Sequence, residues 1–294
     1  MTLPNTLIMD PKVRGRVAAY DQNALFRMPY FQVVDRPNEA IVVPANGQST
    51  IYISSVSAEG PSVIKSFSAQ KTGAALVNLQ IQDGQSGRSL QKSGVHIDTI
   101  MGSGQQPFIL PEELYIPEGR AVRMTFKDLT GSSNTIRPVF LAKRALKPQA
   151  DGALALAKQR MERREYISMP YFFGLDGTSI VLTSGSSGQD TISMGNDAHF
   201  ECMGINVSST GAFTFDIIDV ATGESIIDGF NSSNFQQANA NIAGTANFPF
   251  RFMVPRFFYK NQKLIVTVTD LSGSGNTIYL TLIGRLVADR MWRA

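Results

Sequence analysis

Short apolar or alternating runs, separated by Gly, Pro, Asn and Asp, fill most of this chain. Four such runs lie at 40–43, 50–53, 75–81 and 121–126, and four more at 179–182, 191–194, 212–218 and 264–268. Where apolar and polar residues alternate, one face of a sheet is buried and the other meets solvent. About eight strands per half, at spacings of roughly 8–12 residues, are typical of a sandwich or barrel. Neither half has a long segment with the helical period, so we predict an all-β chain of two tandem antiparallel β-sandwich, jelly-roll-like domains.

The second half of the chain repeats landmarks of the first half in the same order. Met-Pro-Tyr-Phe at 28–31 returns at 169–172, and Asp-Leu-Thr-Gly-Ser-Ser-Asn-Thr-Ile at 128–136 returns as Asp-Leu-Ser-Gly-Ser-Gly-Asn-Thr-Ile at 270–278. The offset of 141 or 142 positions is too long for a solenoid repeat, whose units have about 20–50 residues. We therefore interpret the chain as an internal duplication of one domain.

The repeat predicts five segments. They are an N-terminal arm at 1–27, a first β-sandwich at 28–146, a helical connector at 147–168, a second β-sandwich at 169–287 and a C-terminal tail at 288–294. The connector is predicted to be helical because Asp151 can cap it, an Ala-Leu run follows, and Lys and Arg are concentrated toward its end. A mixed basic segment also precedes the first sandwich, so we interpret the repeated unit as an arm followed by a sandwich.

Composition limits the classes of protein that fit this pattern. Only 17% of the residues are charged, below the roughly 25% of typical soluble domains. The net charge of +3 is too small to predict a nucleic-acid groove, so we expect no specific nucleic-acid partner. The single cysteine, Cys202, excludes an internal disulfide framework and a cysteine-based zinc site. No apolar run reaches the roughly 20 residues that span a bilayer, and the N-terminus lacks a signal-peptide pattern, so we expect no transmembrane segment and no conventional export.

Residues that could carry catalysis are few. His96 and His199 are the only histidines, and neither has a second histidine at metal-ligand spacing. His199 and Cys202, three positions apart on a strand, are predicted to face opposite sides of the sheet. The glycines at 185–188 lack the lysine and the following helix of a phosphate loop, and those at 102–104 belong to a flexible loop. We expect no catalytic residue, no cofactor and no metal site.

Four aspartates occupy matching positions in the two halves. Asp83 corresponds to Asp219 and Asp128 to Asp270, each at the end of a predicted strand and before turn residues. Paired carboxylates serve acid–base catalysis or calcium binding. Here the matched residues belong to different domains, and their loops lack the last glutamate of an EF-hand. We favour the interpretation that each carboxylate binds the backbone of its own turn.

Aromatic residues concentrate at 248–259. Phe248, Phe250 and Phe252 are two positions apart and can share one face of a strand, which we interpret as part of the sandwich core. Exposed rings here or at 257–259 would instead offer a surface for sugar stacking or protein docking. The sequence leaves both alternatives open.

Two tandem β-sandwiches of about 120 residues each, with an arm and a helical connector, resemble viral and bacteriophage virion proteins. Within that group the pattern is similar to the double jelly-roll capsid proteins, in which two eight-stranded sandwiches stand side by side and associate as pseudo-hexagonal trimers. The motifs are the repeated Met-Pro-Tyr-Phe start and the repeated turn that begins at Asp128 and Asp270. A capsid-decorating, collar or neck protein built from a duplication fits the same pattern.

The resemblance implies a non-enzymatic virion structural protein of a bacteriophage, which forms or decorates the capsid, or builds a collar or neck, by self-association. Its expected partners are copies of itself in a homo-oligomer and other virion proteins. Its expected location is the virion, assembled in the host cytoplasm. The alternative function is a tandem carbohydrate- or surface-binding β-sandwich module, in which aromatic side chains stack on sugar rings.

Overall fold

In the computed structural model of this protein, the described residues are 28–33, 40–54, 62–72, 77–83, 89–116, 120–144, 168–227 and 244–287. The predicted arm at 1–27, the predicted tail at 288–294 and all but the last residue of the predicted connector at 147–168 lie outside them. These three segments therefore stay predictions, as do the sandwich boundaries at 28–146 and 169–287.

The first half contains nine strands and one short helix in its described residues. They are β1 (Met28–Val33), β2 (Ile41–Val43), β3 (Gln48–Ser54), β4 (Ser62–Thr72), β5 (Val77–Asp83), β6 (Val95–His96), α1 (Ile97–Ile100), β7 (Phe108–Ile116), β8 (Ala121–Asp128) and β9 (Asn134–Arg144). One sheet has the order β1-β9-β4-β7, with β2 also paired to β9, and the other has the order β3-β8-β5-β6. Every strand pair in both sheets is antiparallel.

The second half contains eight strands in its described residues. They are β10 (Ser168–Gly174), β11 (Ile180–Leu182), β12 (Ser187–Ser193), β13 (His199–Ser209), β14 (Phe213–Asp219), β15 (Phe250–Phe258), β16 (Lys263–Asp270) and β17 (Asn276–Val287). One sheet has the order β10-β17-β13-β15, with β11 also paired to β17, and the other has the order β12-β16-β14.

These strand orders are those of a jelly roll. In the first half, β2, β9, β4 and β7 form one sheet and β3, β8, β5 and β6 form the other, so the chain passes repeatedly between two facing sheets. A jelly roll is such a double sheet, made of eight strands in two Greek keys. The prediction of an all-β chain of antiparallel, jelly-roll-like sandwiches is confirmed.

The two halves pair their strands in the same way, even at an irregularity. Met28 lies opposite Arg144 in the first half, and Met169 lies opposite Leu286 in the second. The register shifts by a β-bulge between residues 64 and 66 of β4, and the same shift occurs between residues 202 and 204 of β13. The halves are thus equivalent in fold, whereas the duplication that we infer from the sequence stays a prediction.

Alternating burial along the strands builds a separate core in each half. In β8 the buried side chains are Val122, Met124 and Phe126, with the intervening residues more exposed. In β16 the corresponding residues are Leu264, Val266 and Val268. Removing each such side chain from water stabilises the fold by about 1.5–3 kcal/mol. Both sheets of a half contribute to its core, as expected for a sandwich.

The long central strand β4 was not among the predicted strands because polar residues interrupt its apolar pattern. Ser66 and Ser68 are nevertheless buried. The Ser68 hydroxyl donates a hydrogen bond to the carbonyl oxygen of Val139 at 2.9 Å. A small side chain with a satisfied hydroxyl can be buried at little cost, and hydrophobic periodicity does not reveal it.

Candidate functional site

Asp128, at the end of β8, binds the backbone of the turn that follows it. Its Oδ1 accepts hydrogen bonds from the Thr130 amide at 3.0 Å, the Thr130 hydroxyl at 2.8 Å and Asn134 Nδ2 at 2.7 Å. Its Oδ2 accepts from the amides of Gly131 and Asn46, each at 2.8 Å. The predicted turn-binding role of this carboxylate is confirmed.

Asp270 repeats this arrangement at the end of β16. Its Oδ1 accepts hydrogen bonds from the Ser272 amide at 3.0 Å, the Ser272 hydroxyl at 2.6 Å and Asn276 Nδ2 at 3.3 Å. Its Oδ2 accepts from the Gly185 amide at 2.9 Å. Gly273 has a φ of 71°, in the left-handed region that glycine adopts without strain, and this explains the glycine of the repeated turn.

Hydrogen bonds hold both carboxylates in the charged form. Burial of Asp128 acts to raise its pKa, but the bonds from Thr130, Asn46 and Gly131 outweigh it and lower the pKa to about 2. For Asp270, the bonds from the Ser272 hydroxyl and the Gly185 amide are the main causes that lower the pKa to about 2. Hydrogen-bond donors from turns occupy the acceptor positions of these two carboxylates. Both carboxylates therefore stabilise the folded turns.

The second pair of matched aspartates is described only in part. Asp219 Oδ1 accepts a hydrogen bond from the Ala221 amide at 2.9 Å, and its Oδ2 accepts from Gln262 Nε2 at 2.7 Å. Its predicted role in its own turn is therefore confirmed. Asp83 is the last residue of β5, and its side chain lies outside the described part of the chain.

His96 lies where the two halves meet. It is the N-cap of α1, and its Nδ1 accepts a hydrogen bond from the Asp98 amide at 3.3 Å. Its ring stacks on that of Tyr279 in β17, with a centroid separation of 4.2 Å and an interplanar angle of 28°. Burial, and secondarily the charge of Lys71, lower the pKa of His96 to about 3. The imidazole is therefore neutral at neutral pH and joins the halves by packing.

Hydrogen bonds from α1 cross to the second half. The Thr99 hydroxyl donates to the His96 carbonyl oxygen at 2.7 Å and lies 2.8 Å from the Thr281 hydroxyl, which thus supplies the proton of that second bond. Asn206 Nδ2 donates to the Thr99 carbonyl oxygen at 2.6 Å. Thr99, Thr281 and Asn206 are all buried. Buried and paired polar groups of this kind select one relative position of the two sheets.

Apolar contacts complete this junction. Phe172 in β10 and Ile283 in β17 are fully buried, and both belong to the hydrophobic cluster of the first half. The rings of Phe108 and Phe172 are 6.0 Å apart, and Arg251 lies 6.0 Å above the Phe108 ring. The junction is therefore packed like the interior of a domain.

Charged side chains lie at the edge of the junction. Lys92 Nζ contacts Asp176 Oδ1 at 2.8 Å, and Arg285 Nη1 lies 3.8 Å from Glu112 Oε2. Exposed or half-exposed ion pairs contribute little stability, at most about 1 kcal/mol each. These ion pairs help to orient the two halves, whereas the buried residues stabilise the contact between them.

A cleft of about 350 Å³ opens between the two halves. The first half contributes Lys71 and Asp98, which form an ion pair, and the second half contributes Ser208, Thr245 and Asn247. Burial lowers the pKa of Lys71 to about 8. The two charged side chains of the cleft have opposite signs and pair with each other. Among the described residues, the lining contains no further cationic or aromatic side chain that would select a ligand.

His199 and Cys202 have different surroundings along β13. Cys202 is fully buried in the core of the second half, where burial raises the pKa of its thiol to about 12. His199 lies beside the rings of Phe257 and Tyr259, with centroid separations of 5.4 and 5.5 Å. A protonated core thiol is not an activated nucleophile.

The aromatic residues at 248–259 divide between core and surface. Phe258 is buried in the second core, and Phe252 packs partly against it. Phe250 is half-buried, and Phe248 and Tyr259 are exposed. The interpretation of Phe248 as a core residue is wrong, because Phe248 lies in the turn that precedes β15 and its carbonyl oxygen bonds the Thr245 amide at 3.0 Å.

β9 and β17 are equivalent strands whose outer faces differ in exposure. On β17, Tyr279, Thr281 and Ile283 are buried, because β6, α1 and β7 of the first half pack against this strand. The matching residues of β9, the first of them exposed and the others half-buried, are Arg137, Val139 and Leu141. The sequence gives little signal for this difference, since Val139 and Leu141 are as apolar as Thr281 and Ile283, and only Arg137 in place of Tyr279 distinguishes the two faces.

The described residues hold no metal cluster and no membrane-spanning helix. None of their His, Cys, Asp and Glu side chains form a group of three or more that could bind a metal ion. Within the same part of the chain, no helix has the length and apolar character needed to cross a bilayer.

No protein-family model matches this chain, and no curated protein matches it in sequence. Similar solved structures include a chain of Sulfolobus Turreted Icosahedral Virus, at 15% identity over 87% of this chain and 61% of that one, with a TM-score of 0.24. They also include the mavirus major capsid protein, at 9% identity over 86% of both chains with a TM-score of 0.33, and the PBSX exported protein XepA, at 11% identity over 88% of this chain and 86% of that one with a TM-score of 0.24. This chain thus spans about 61% of the length of the first of these proteins. At these identities and TM-scores the likenesses carry no argument about function.

Proposed function

We propose that this chain is a non-enzymatic structural protein of a virion, which works by binding copies of itself and other virion proteins. The observation that carries the proposal is the junction, in which Phe172, Ile283 and the Thr99–Thr281 contact are buried between the two sandwiches. Domains of one chain move relative to each other unless their interface is extensive and apolar. A pair of sandwiches held in one orientation offers a fixed set of surfaces for repeated contacts in an assembly.

The contacts made by the residues that were candidates for catalysis support a structural role for the protein. Asp128 and Asp270 bind their own turns, His96 caps a helix within the junction, and Cys202 packs in a core. Jelly rolls occur in viral capsid and lectin domains and in cupins. The fold alone does not distinguish among these functions. The proposal therefore depends on the observation that these side chains stabilise turns, a helix end and a core.

We further propose that the virion is that of a bacteriophage. The protein then forms or decorates the capsid, or builds a collar or neck, as a homo-oligomer assembled in the host cytoplasm. Two sandwiches with equivalent strand edges suit such positions, because similar surfaces meet repeatedly around a symmetry axis.

Electron microscopy of the purified full-length chain tests this proposal. We expect particles of regular shape, such as rings, shells or small closed oligomers, whose dimensions exceed those of one chain. Fields of monomers alone, across micromolar concentrations and in both low and moderate salt, would contradict the self-association on which the proposal depends.

A second candidate function is glycan binding, and the exposed ring of Tyr259 beside Phe257 and His199 supports it. Exposed aromatic faces stack on sugar rings in many binding sites. A glycan array with the wild type and Tyr259→Ala tests it, with Tyr52→Ala in β3 as a control at another exposed tyrosine. Binding that is lost only in Tyr259→Ala favours this function, and no binding by the wild type rejects it.

A further inference from the structure

We propose that Asn46 is a site of spontaneous deamidation, which the turn closed by Asp128 slows in the folded chain and whose products weaken that turn. The reaction needs only water and the backbone nitrogen of the next residue, Gly47. This site is independent of the proposed virion function. It lies in the turn between β2 and β3, and it arises from the two residue types that this turn requires.

The turn between β2 and β3 places an asparagine in the left-handed region. The Gly47 amide donates a hydrogen bond to the Pro44 carbonyl oxygen at 2.9 Å, which closes a four-residue turn. Asn46, the third residue of this turn, has a φ of 54° and is exposed. A positive φ at this position is adopted readily only by glycine and asparagine.

The fourth residue of the turn has no room for a side chain. A Cβ atom on Gly47 would lie 2.6 Å from Cγ of Pro44, well inside the roughly 3.5–4.0 Å at which two carbon atoms pack. Glycine avoids this contact. The turn therefore favours asparagine at position 46 and glycine at position 47, and these two residues form the only Asn-Gly pair in the sequence.

An Asn-Gly pair is chemically labile because glycine has no side chain to shield its backbone nitrogen. The Gly47 nitrogen attacks Cγ of Asn46, a bond forms between these two atoms, the Cγ–Nδ2 bond breaks, and ammonia leaves with the amide proton of Gly47. Water then opens the cyclic imide. Addition of water at Cγ gives aspartate, whereas addition at the main-chain carbonyl carbon gives isoaspartate, in which the backbone runs through Cβ.

The folded turn opposes this reaction. The Gly47 amide hydrogen is directed at the Pro44 carbonyl oxygen, and the Gly47 carbonyl oxygen accepts a hydrogen bond from the Asp128 amide at 2.9 Å. The Asn46 amide donates to Asp128 Oδ2 at 2.8 Å. These bonds fix the backbone on both sides of the nitrogen that must approach Cγ, so the imide can form only when the turn opens. The rate in the folded chain is therefore the rate in the open chain multiplied by the open fraction.

Deamidation changes the surroundings of Asp128. The Asn46 side chain lies beside Gly131, since a Cβ atom on Gly131 would be 3.6 Å from Asn46 Oδ1. The amides of Asn46 and Gly131 both donate to Asp128 Oδ2. A new carboxylate on residue 46 lies close to that of Asp128 and repels it. Isoaspartate also adds a carbon to the backbone, which displaces the Gly47 groups from their partners. Either product weakens the contact between the β2–β3 turn and the β8–β9 turn.

The second half has the same turn without the reactive pair. The Ser186 amide donates to the Thr183 carbonyl oxygen at 3.1 Å, and Gly185, with a φ of 67°, donates its amide to Asp270 Oδ2 at 2.9 Å. Gly185 thus occupies the position of Asn46 and has no side-chain amide to lose. Asn46→Gly reproduces this turn in the first half and keeps the positive φ without strain, so it is the matched control.

Mass spectrometry of the full chain and its peptides tests the reaction. The wild type and Asn46→Gly are incubated at mildly alkaline pH, each in buffer and in urea. We expect the wild type to gain about 1 Da at Asn46, at least about tenfold more slowly in buffer than in urea. Asn46→Gly is expected to show no gain at this position. No gain at Asn46 in either condition, or equal rates in buffer and in urea, overturns the proposal.

Removal of the carboxylate tests the role of Asp128. Asp128→Ala is expected to raise the rate in buffer by at least about fivefold, because the lost hydrogen bonds increase the open fraction. Asp270→Ala removes the equivalent carboxylate of the other sandwich and is expected to leave the rate at Asn46 unchanged, which separates local opening from a general loss of stability. If circular dichroism shows that Asp128→Ala does not fold, Asp128→Asn, which keeps an acceptor oxygen, replaces it. An unchanged rate in the folded Asp128 variant, or an equal increase in Asp270→Ala, overturns the proposal.

Urea unfolding tests the effect of the products. The deamidated wild type carries an added negative charge and is separated from the unreacted chain by anion exchange. We expect its urea midpoint to be lower than that of the unreacted chain, whereas Asn46→Gly incubated for the same time keeps its midpoint. Equal midpoints for the deamidated and unreacted wild type overturn the proposed weakening of the turn.

Discussion

At the scale of single residues, Asp128 and Asp270 show how a charged group can be part of the fold rather than of a reactive site. Each carboxylate accepts hydrogen bonds from a turn amide, a turn hydroxyl and an asparagine side chain. Loss of the carboxylate leaves several donors without an acceptor, and such a loss costs more than the bond itself contributes.

We predict that Asp270→Ala destabilises the protein. The urea midpoint of unfolding falls, and the m-value is unchanged because the folded state stays compact. Asp197→Ala is the control, since Asp197 is exposed and precedes β13. A midpoint for Asp270→Ala equal to that of the control would show that the turn does not depend on the carboxylate.

The depressed carboxylate pKa values also predict acid sensitivity. The pKa of Asp128 and of Asp270 is about 2 in the folded chain, against the ordinary value of 3.8. Above about pH 5 both states are ionised and the stabilisation is complete. As the pH falls from about 5 to 2, the unfolded state takes up protons first and the stabilisation is lost.

His96 gives a second pH dependence, in a higher range. Its folded pKa of about 3 lies below the ordinary 6.5, so the unfolded state binds more protons between these values. We predict that the free energy of unfolding falls by up to about 1.4 kcal/mol for each pH unit below 6.5. Stability above pH 7 is unaffected by this group.

The variant His96→Asn isolates this effect. Asparagine is a good N-cap residue and does not titrate, so α1 keeps its cap. Urea unfolding at several pH values between 4 and 7 is expected to show a shallower slope for the variant, on top of a lower stability from the lost Tyr279 contact. Equal slopes for the two proteins would show that His96 does not stay neutral in the folded chain.

At the scale of elements, β10 is the strand that joins the two cores. Phe172 belongs to the cluster of the first half, and the next residue, Phe173, belongs to that of the second. Neighbouring residues of a strand point to opposite faces, so one strand packs against both halves.

This gives a matched pair of variants. Phe172→Ala removes a junction side chain and Phe173→Ala removes a core side chain of the same size, each at a cost of about 3–5 kcal/mol. We predict that Phe172→Ala uncouples the halves, so that urea unfolding broadens or divides into two steps with a lower apparent m-value. Phe173→Ala is expected to lower the midpoint by destabilising the second core. A single sharp transition with an unchanged m-value in Phe172→Ala would contradict the coupling role of the junction.

Eight of the seventeen strands in the described residues match runs predicted from the sequence, and alternation along β8 and β16 shows directly which side chains are buried. The turn roles of Asp128 and Asp270 followed from their place before Gly and Ser. The strand β4 could not be predicted, since its serines are buried and paired within the sheet. The junction was not predicted either, because Tyr279, Thr281 and Ile283 become a covered surface only when another domain packs on them.

At the scale of the whole molecule, the two halves are equivalent in strand order but not in environment. The outer face of β17 is buried by the first half, whereas on the outer face of β9 Arg137 is exposed and Val139 and Leu141 are half-buried. We therefore expect copies of the chain to associate, as the proposed function requires.

Sedimentation velocity of the wild-type chain, over concentrations from below to well above micromolar, measures this association. We expect the mean mass to rise with concentration toward a multiple of the monomer mass. A single species of monomer mass at every concentration would contradict it.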